Sequence, residues 1–284
     1  MILLMKTKKK IEVKNERLLF AVLLIALFII FILYYNFVFS EVLARNAFAN
    51  QMIEIADQNE NPIFSVQRIL LYSSANAIDN SDDLSLKDMS ILQYTDISIY
   101  IDNLGTISDL TNENTVRELY IDNINIKTNS DMGNQLLNYK NPLNFGKYEN
   151  LQLAENGRID FNIVNTNSEN ENHDYSTPTF YTDCSNPISL GYINKDILTN
   201  YAATQDSNTV SFNGKVLQEA NINLDDIGYN LSFRINIVNN LGQKFVYNMS
   251  FDVDLNDANG GVYNGYIYKG KNTSGREYQF FKEM

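Results

Sequence analysis

From residue 18 to residue 39 the chain runs LLFAVLLIALFIIFILYYNFVF, with no charged residue and Asn36 as the only strongly polar one. These 22 residues, at about 1.5 Å rise each, reach roughly 33 Å, enough for a helix to cross a hydrocarbon core of about 30 Å with slight tilt. The stretch predicts a single transmembrane helix over 18–39, and that expectation fixes how the rest of the chain is read.

Ahead of it, Lys6, Lys8, Lys9, Lys10, Lys14 and Arg17 face only Glu12 and Glu16, so the basic tail over 1–17 carries +4. The excess of basic residues keeps such a tail in the cytoplasm. The expected localisation is therefore the cell membrane, single-pass, with the N-terminus cytoplasmic and the C-terminal domain extracytoplasmic. The whole chain has 22 basic and 34 acidic side chains; without the tail's six and two, 16 remain against 32, a balance of −16. No nucleic-acid partner is expected at that charge, because phosphate contacts need clustered Lys and Arg. A cleaved signal peptide is the competing reading, since Ala47-Phe48-Ala49 has the small-x-small form of a processing site. Its apolar core would normally be only about 7–15 residues long.

Cys184 is the only cysteine. An intramolecular disulfide is impossible, so the outer portion must be held by a hydrophobic core, which its length allows. Such cysteine usage, with abundant Asn, Ile and Lys, suits a bacterial cell envelope in which disulfides are not routine.

Beyond the membrane, SEVLARNAFANQMIEIADQ lacks Gly and Pro and keeps apolar residues at Val42, Leu43, Phe48, Met52 and Ile55. A helical stalk over 40–60 is predicted. It ends before Pro62, because proline disfavours helical geometry in the residue ahead of it.

After Pro62 the apolar period changes to two. Leu231, Phe233, Ile235 and Ile237 alternate with Ser232, Arg234 and Asn236; Asn239-Asn240-Leu241-Gly242 supplies turn residues; the chain returns with Phe245, Tyr247, Met249, Phe251, Val253 and Leu255 on one face. This predicts a long antiparallel hairpin over 231–255. Weaker strand signals lie at 65–73, 90–101, 117–127, 158–164, 178–182, 187–193, 209–216, 262–269 and 277–281. In the second, Ile91, Ile97, Ile99 and Ile101 on one face and Leu92, Tyr94 and Tyr100 on the other suggest cover on both sides. Helical turns are expected at 112–118, after a Thr111 cap, and at 194–201. The polar stretch NTNSENENHDYS, 165–176, reads as an exposed loop. The fold class expected is mainly β, with residues 61–284 forming one antiparallel β-sandwich domain of the Ig-like or jelly-roll-like kind.

Chemistry is sparse. His173 is the sole histidine and sits in the polar loop. Cys184, in Tyr181-Thr-Asp-Cys-Ser185, lacks the Thr-Leu-x-Thr-Cys word of sortases. No His or Cys cluster suggests zinc, and no Gly-rich loop suggests a phosphate. Calcium is the one cofactor weighed: Asp252, Asp254, Asp257 and Asn259 gather oxygen ligands at the end of the best strand, with Asp252 and Asp254 on one face about 7 Å apart. As an EF-hand loop the stretch has Asp257 where glycine belongs and Tyr263 where the bidentate Glu belongs. Solvated strand residues are the alternative.

The 18 tyrosines, beside many Asn and Asp, could line a sugar-binding face, although tyrosine is also a favoured strand residue. A basic leader, one apolar helix and a β-rich head resemble a type IV pilin-like subunit. Prepilins are processed after a glycine ahead of the helix and carry Glu inside its start, whereas here the first glycine is Gly105 and Glu16 precedes the apolar run. The function expected is that of a non-enzymatic envelope binding or structural module, its partner a cell-wall polymer, a glycan or an envelope protein. The alternatives are a membrane-anchored hydrolase with an unlocated carboxylate site and the pilin-like subunit.

Overall fold

The structure, a computed structural model, describes residues 2–35, 39–60, 62–82, 85–103, 113–142, 152–153, 157–165, 176–203, 211–273 and 275–283. It divides into two compact units, residues 1–57 and 58–284.

The first unit is helical. Helix α1 (Ile2–Tyr34) includes the basic tail as well as the apolar stretch, and α2 (Ser40–Glu60) is the predicted stalk; residues 36–38 lie outside the described ones. Within α1, Arg17–Tyr34 has a mean hydropathy of 2.8 and no buried residue. Among the described residues it is the one helix long and apolar enough to cross a membrane. A run of exposed Leu, Ile and Phe of that length cannot be left in water without a large hydrophobic cost.

The second unit is mainly β. Its strands are β1 (Phe64–Asp79), β2 (Met89–Asn103), β3 (Val116–Thr128), β4 (Asn134–Tyr139), β5 (Gln152–Leu153), β6 (Ile159–Val164), β7 (Thr179–Tyr181), β8 (Ile188–Tyr201), β9 (Tyr229–Asn239), β10 (Lys244–Val253), β11 (Tyr266–Asn272) and β12 (Phe281–Glu283). They form two six-stranded sheets, in the orders β11-β1-β2-β8-β4-β5 and β12-β10-β9-β3-β6-β7. Every pairing is antiparallel except β6 with β7. One hydrophobic core draws on both sheets, giving a sandwich-like arrangement. Rings meet across it: Phe64 and Phe245 edge-to-face at 5.4 Å, Tyr139 and Phe161 at 6.0 Å, and Tyr192 stacked on Tyr229.

The predicted hairpin is β9–β10, in register from Tyr229 opposite Val253 to Val238 opposite Lys244. Its turn is closed by Asn239, whose Oδ1 accepts from the amides of Leu241 and Gln243, and by Gly242 at φ +77.

Several expectations are overturned by bulges and by tight turns. The predicted helical turn at 194–201 is instead the second half of β8, which pairs with β2 on one side and β4 on the other. Asp196 and Asn200 adopt positive φ there, and the register with β2 slips twice, so the side-chain alternation that marks a strand is broken. The turn at 112–118, whose first residue lies outside the described ones, gives way to β3 from Val116. A register shift between Val116 and Glu118 lets Val116, Leu119 and Ile121 all enter the core.

The strand expected at 209–216 becomes, where described, a turn followed by the short helix α3 (Lys215–Glu219); Val216 and Leu217 are both fully buried, which successive residues of a half-buried strand cannot be. The segments 262–269 and 277–281 each open with a 3-10 turn, Gly261–Asn264 and Arg276–Tyr278, before β11 and β12 begin. β4 and β5 carry no sequence signal of their own. The loop expected at 165–176, with His173, lies almost wholly outside the described residues.

β2 corrects a further expectation. Its isoleucine face is buried in the core, but Tyr94, Asp96, Ser98 and Tyr100 on the other face are only half-buried. That second face carries the site described next.

Candidate functional site

The outer face of the first sheet is assembled by strand register. In the β1–β2 ladder Tyr72 stands opposite Asp96, Ser74 opposite Tyr94 and Leu70 opposite Ser98. β11 extends these rows, with Tyr268 opposite Tyr72, Tyr266 opposite Ser74 and Gly270 opposite Leu70. The result is a groove of about 560 Å³ whose lining includes Leu70, Tyr72, Tyr94, Asp96, Ser98 and Tyr268. Tyr72 is the middle ring of a stacked array, 5.4 Å from Tyr266 and 6.4 Å from Tyr94 between centroids. Tyr266 and Tyr268 are each 57% exposed, an unusual outlay of aromatic surface to water. Partial burial pushes the Tyr72 phenol above its usual range, and neighbouring Tyr94, Tyr266 and Asp96 add to the rise.

One ion pair flanks the groove. β8 places Gly191 opposite Asp96, and the missing side chain leaves room for the stem of Lys140, whose Cβ would lie 3.4 Å from a Cβ at that glycine. Lys140 crosses over Gly191 and brings Nζ to 3.0 Å from Asp96 Oδ1, with the lysine side chain 3% exposed and the aspartate 24%. Burial depresses the lysine's pKa and the aspartate partly offsets it. A buried ammonium of this kind is held by its partner, because an unpaired one would cost several kcal/mol on the order of its desolvation.

A second concavity, of about 570 Å³, opens between the two sheets along β10 and β11, over Ile69, Leu71, Met249 and Phe251 with Lys269 and Glu277 at its rim. β12 pairs with β10 only at Lys244, Phe245 and Val246, so among the described residues no strand flanks β10 on that side from Tyr247 onward.

The residues weighed for calcium are distributed as follows. Asp252, on the exposed face of β10, accepts from Asn230 Nδ2 at 2.8 Å. Asp254 Oδ1 accepts from the Asn256 amide at 2.9 Å. Asp257 Oδ1 accepts from the amides of Asn259 and Gly261, each at 2.8 Å, and these bonds hold its carboxyl below the usual range. Asn259 is brought beside Asp257 by this turn, and its carbonyl accepts from Asn264 Nδ2. Gly260 and Gly261 have positive φ, and a Cβ on Gly261 would collide with the Leu255 carbonyl at 2.1 Å. The three carboxylates thus serve strand and turn geometry separately. Among the described residues no group of three or more His, Cys, Asp or Glu side chains could hold a metal ion.

Cys184 is buried, at φ +60 in a turn closed onto Tyr181, and burial pushes its thiol far up. A thiol so protonated is no nucleophile. Sequence reasoning noted the tyrosines as a class but nominated none of Tyr72, Tyr94, Tyr266 and Tyr268, and it missed Asp96 and Lys140 altogether. The Tyr266-x-Tyr268 alternation was the one local signal. No protein family, no curated protein and no solved structure matches this chain.

Proposed function

We infer that this is a single-pass protein of the cell membrane, with its N-terminus cytoplasmic and its β domain, a sandwich of the Ig-like or jelly-roll-like kind, outside the cell as a non-enzymatic binding module. Its partners are envelope components: a wall polymer, a glycan or another envelope protein. The observation that carries the reading is the groove over Tyr72, Tyr94 and Tyr268, a shallow aromatic recess on a sheet face whose lining includes one carboxylate, Asp96, already committed to Lys140. Hydrolysis of a glycosidic bond by the usual route asks for a pair of carboxylates about 5–9.5 Å apart across the scissile bond. A recess of aromatic surface with a few polar groups is what binding asks for. The six Lys and Arg residues ahead of the apolar stretch, against Arg45 alone between residues 40 and 60, support the orientation.

Protease added to intact protoplasts tests this. The expected result is loss of the mass beyond residue 60 with a membrane-embedded stub retained. Survival of the full-length chain would reverse the orientation, and spontaneous release of an intact soluble domain would replace the anchor by a cleaved signal.

A further inference from the structure

We propose that the tyrosine groove is a glycan subsite: it takes an uncharged, hydroxyl-rich sugar chain, with Tyr94 and Tyr268 as stacking surface beside the Tyr72 ring, Asp96 as hydroxyl acceptor, and Lys140 as the residue that positions Asp96. This deepens the binding-module reading and rests on it.

Three observations select the ligand class. Surface type comes first. Within one groove Leu70 and three phenol rings supply apolar surface, and Asp96, Ser98 and the phenol hydroxyls supply polar partners. A pyranose has the matching two-sided character: a C–H face, weakly positive and complementary to the electron-rich face of an aromatic ring, and a rim of hydroxyls. A carboxylate offers about four acceptor sites and no donor, which suits hydroxyl groups arriving from a sugar.

Charge is the second. The chain beyond the membrane stretch carries −16, and the cation paired with Asp96 at this groove is 3% exposed. An anionic polymer therefore meets long-range repulsion and, among the described residues lining the groove, no accessible cation, whereas a neutral glycan meets neither penalty. Geometry is the third. The groove lies on the face of β11, β1 and β2, whose backbones are engaged with one another in the ladder. A ligand lying on this face meets side chains rather than free backbone groups; strand addition of a peptide would instead use the outer edge of β11, which bears Lys269 and Lys271.

Gly191 and Lys140 explain why Asp96 stands ready. The lysine runs along the same face of the sheet, across a glycine, and holds Oδ1, and a carboxylate has further acceptor sites for hydroxyl groups.

The test uses the full-length chain in detergent micelles, titrated with malto-, xylo-, manno- and N-acetylchito-hexaose and followed by saturation-transfer NMR and calorimetry, with polyglutamate and an alternating Val-Thr hexapeptide as competitors. At least one hexaose should bind saturably at millimolar concentration or below and remain uncleaved. Tyr268→Ala, at an exposed position, should weaken it by about tenfold or more with an unchanged melting temperature, as loss of one aromatic contact implies. Asp96→Asn should weaken it similarly, while Leu241→Ala, on the distant β9–β10 turn, should not. If Asp96→Asn impairs folding by exposing the lysine to an incomplete partner, the Asp96→Asn/Lys140→Met pair reads the same loss without a buried ammonium. Failure of every hexaose to bind, binding indifferent to Tyr268→Ala, or displacement by polyglutamate or the peptide would overturn the glycan subsite while leaving the membrane-tethered module to the protease experiment. A bound hexaose that is cleaved by the wild-type chain and not by Asp96→Asn would uphold the subsite and overturn the non-enzymatic reading.

Discussion

At the scale of single residues, this domain hides polar groups in unusual places. Tyr192 and Tyr229 come from opposite sheets, stack at 3.6 Å between centroids, and are both buried in the shared core. Burial pushes the phenol of Tyr229 well above its ordinary 10.0, and that of Tyr192 likewise upward. A phenol whose folded-state pKa is raised keeps its proton at a pH where the unfolded chain has already given its own up. Its contribution to stability is thus complete below pH 10.0 and is lost as pH rises from there through the raised value. We expect the urea midpoint to fall steadily above about pH 10, the range in which unfolded tyrosines ionise. Tyr229→Phe should flatten that fall, whatever it does to stability at neutral pH. An equal slope in wild type and variant would place the ring in contact with solvent.

At the scale of elements, the β9–β10 hairpin contributes the most regular half of the core. Phe233 and Phe251 project to the same inner face, 2% and 8% exposed, with centroids 6.0 Å apart. Truncating a buried phenylalanine removes its transfer free energy and leaves a cavity, so Phe233→Ala or Phe251→Ala should each cost about 3–5 kcal/mol in equilibrium denaturation. Because the rings are near neighbours, the double variant should differ from the sum of the two by about 0.5 kcal/mol or more. A loss below about 1 kcal/mol for either would mean the face is solvated. The β1–β2 hairpin does different work: its inner face joins the same core, and its outer face carries Tyr72, Tyr94 and Asp96. The exposed edge strand β11 bears Lys269 and Lys271, charges that discourage pairing with another chain.

At the scale of the whole molecule, the excess of acidic side chains governs the response to cations. With −16 spread over the portion beyond the membrane stretch, any divalent salt should raise the melting temperature slightly by screening self-repulsion. Calcium should do no more than matched magnesium. Asp254 and Asp257 each hold backbone amides of their own turns, and a cation would have to displace those bonds. A calcium-specific rise of several degrees, abolished by Asp254→Ala, would establish a site over Asp252, Asp254, Asp257 and Asn259 and overturn this expectation.

What the amino-acid sequence determined by itself is whatever depends on short-range periodicity. The apolar stretch within α1, the helical stalk, and the β9–β10 hairpin with its Asn239 and Gly242 turn are legible because each signal is complete within a few tens of residues. Only the first half of β8 is legible, because Asp196 and Asn200 spoil its alternation, and β4 and β5 are not, because pairing defines them more than composition does. The groove was decided by tertiary structure alone. Tyr72 and Tyr268 become neighbours only through the β1–β11 register, and Lys140 finds Asp96 only because β8 lays Gly191 between them. A one-residue slip in either ladder would turn those side chains to the opposite face, so the site exists at the level of strand register, which long-range pairing and a shared core impose.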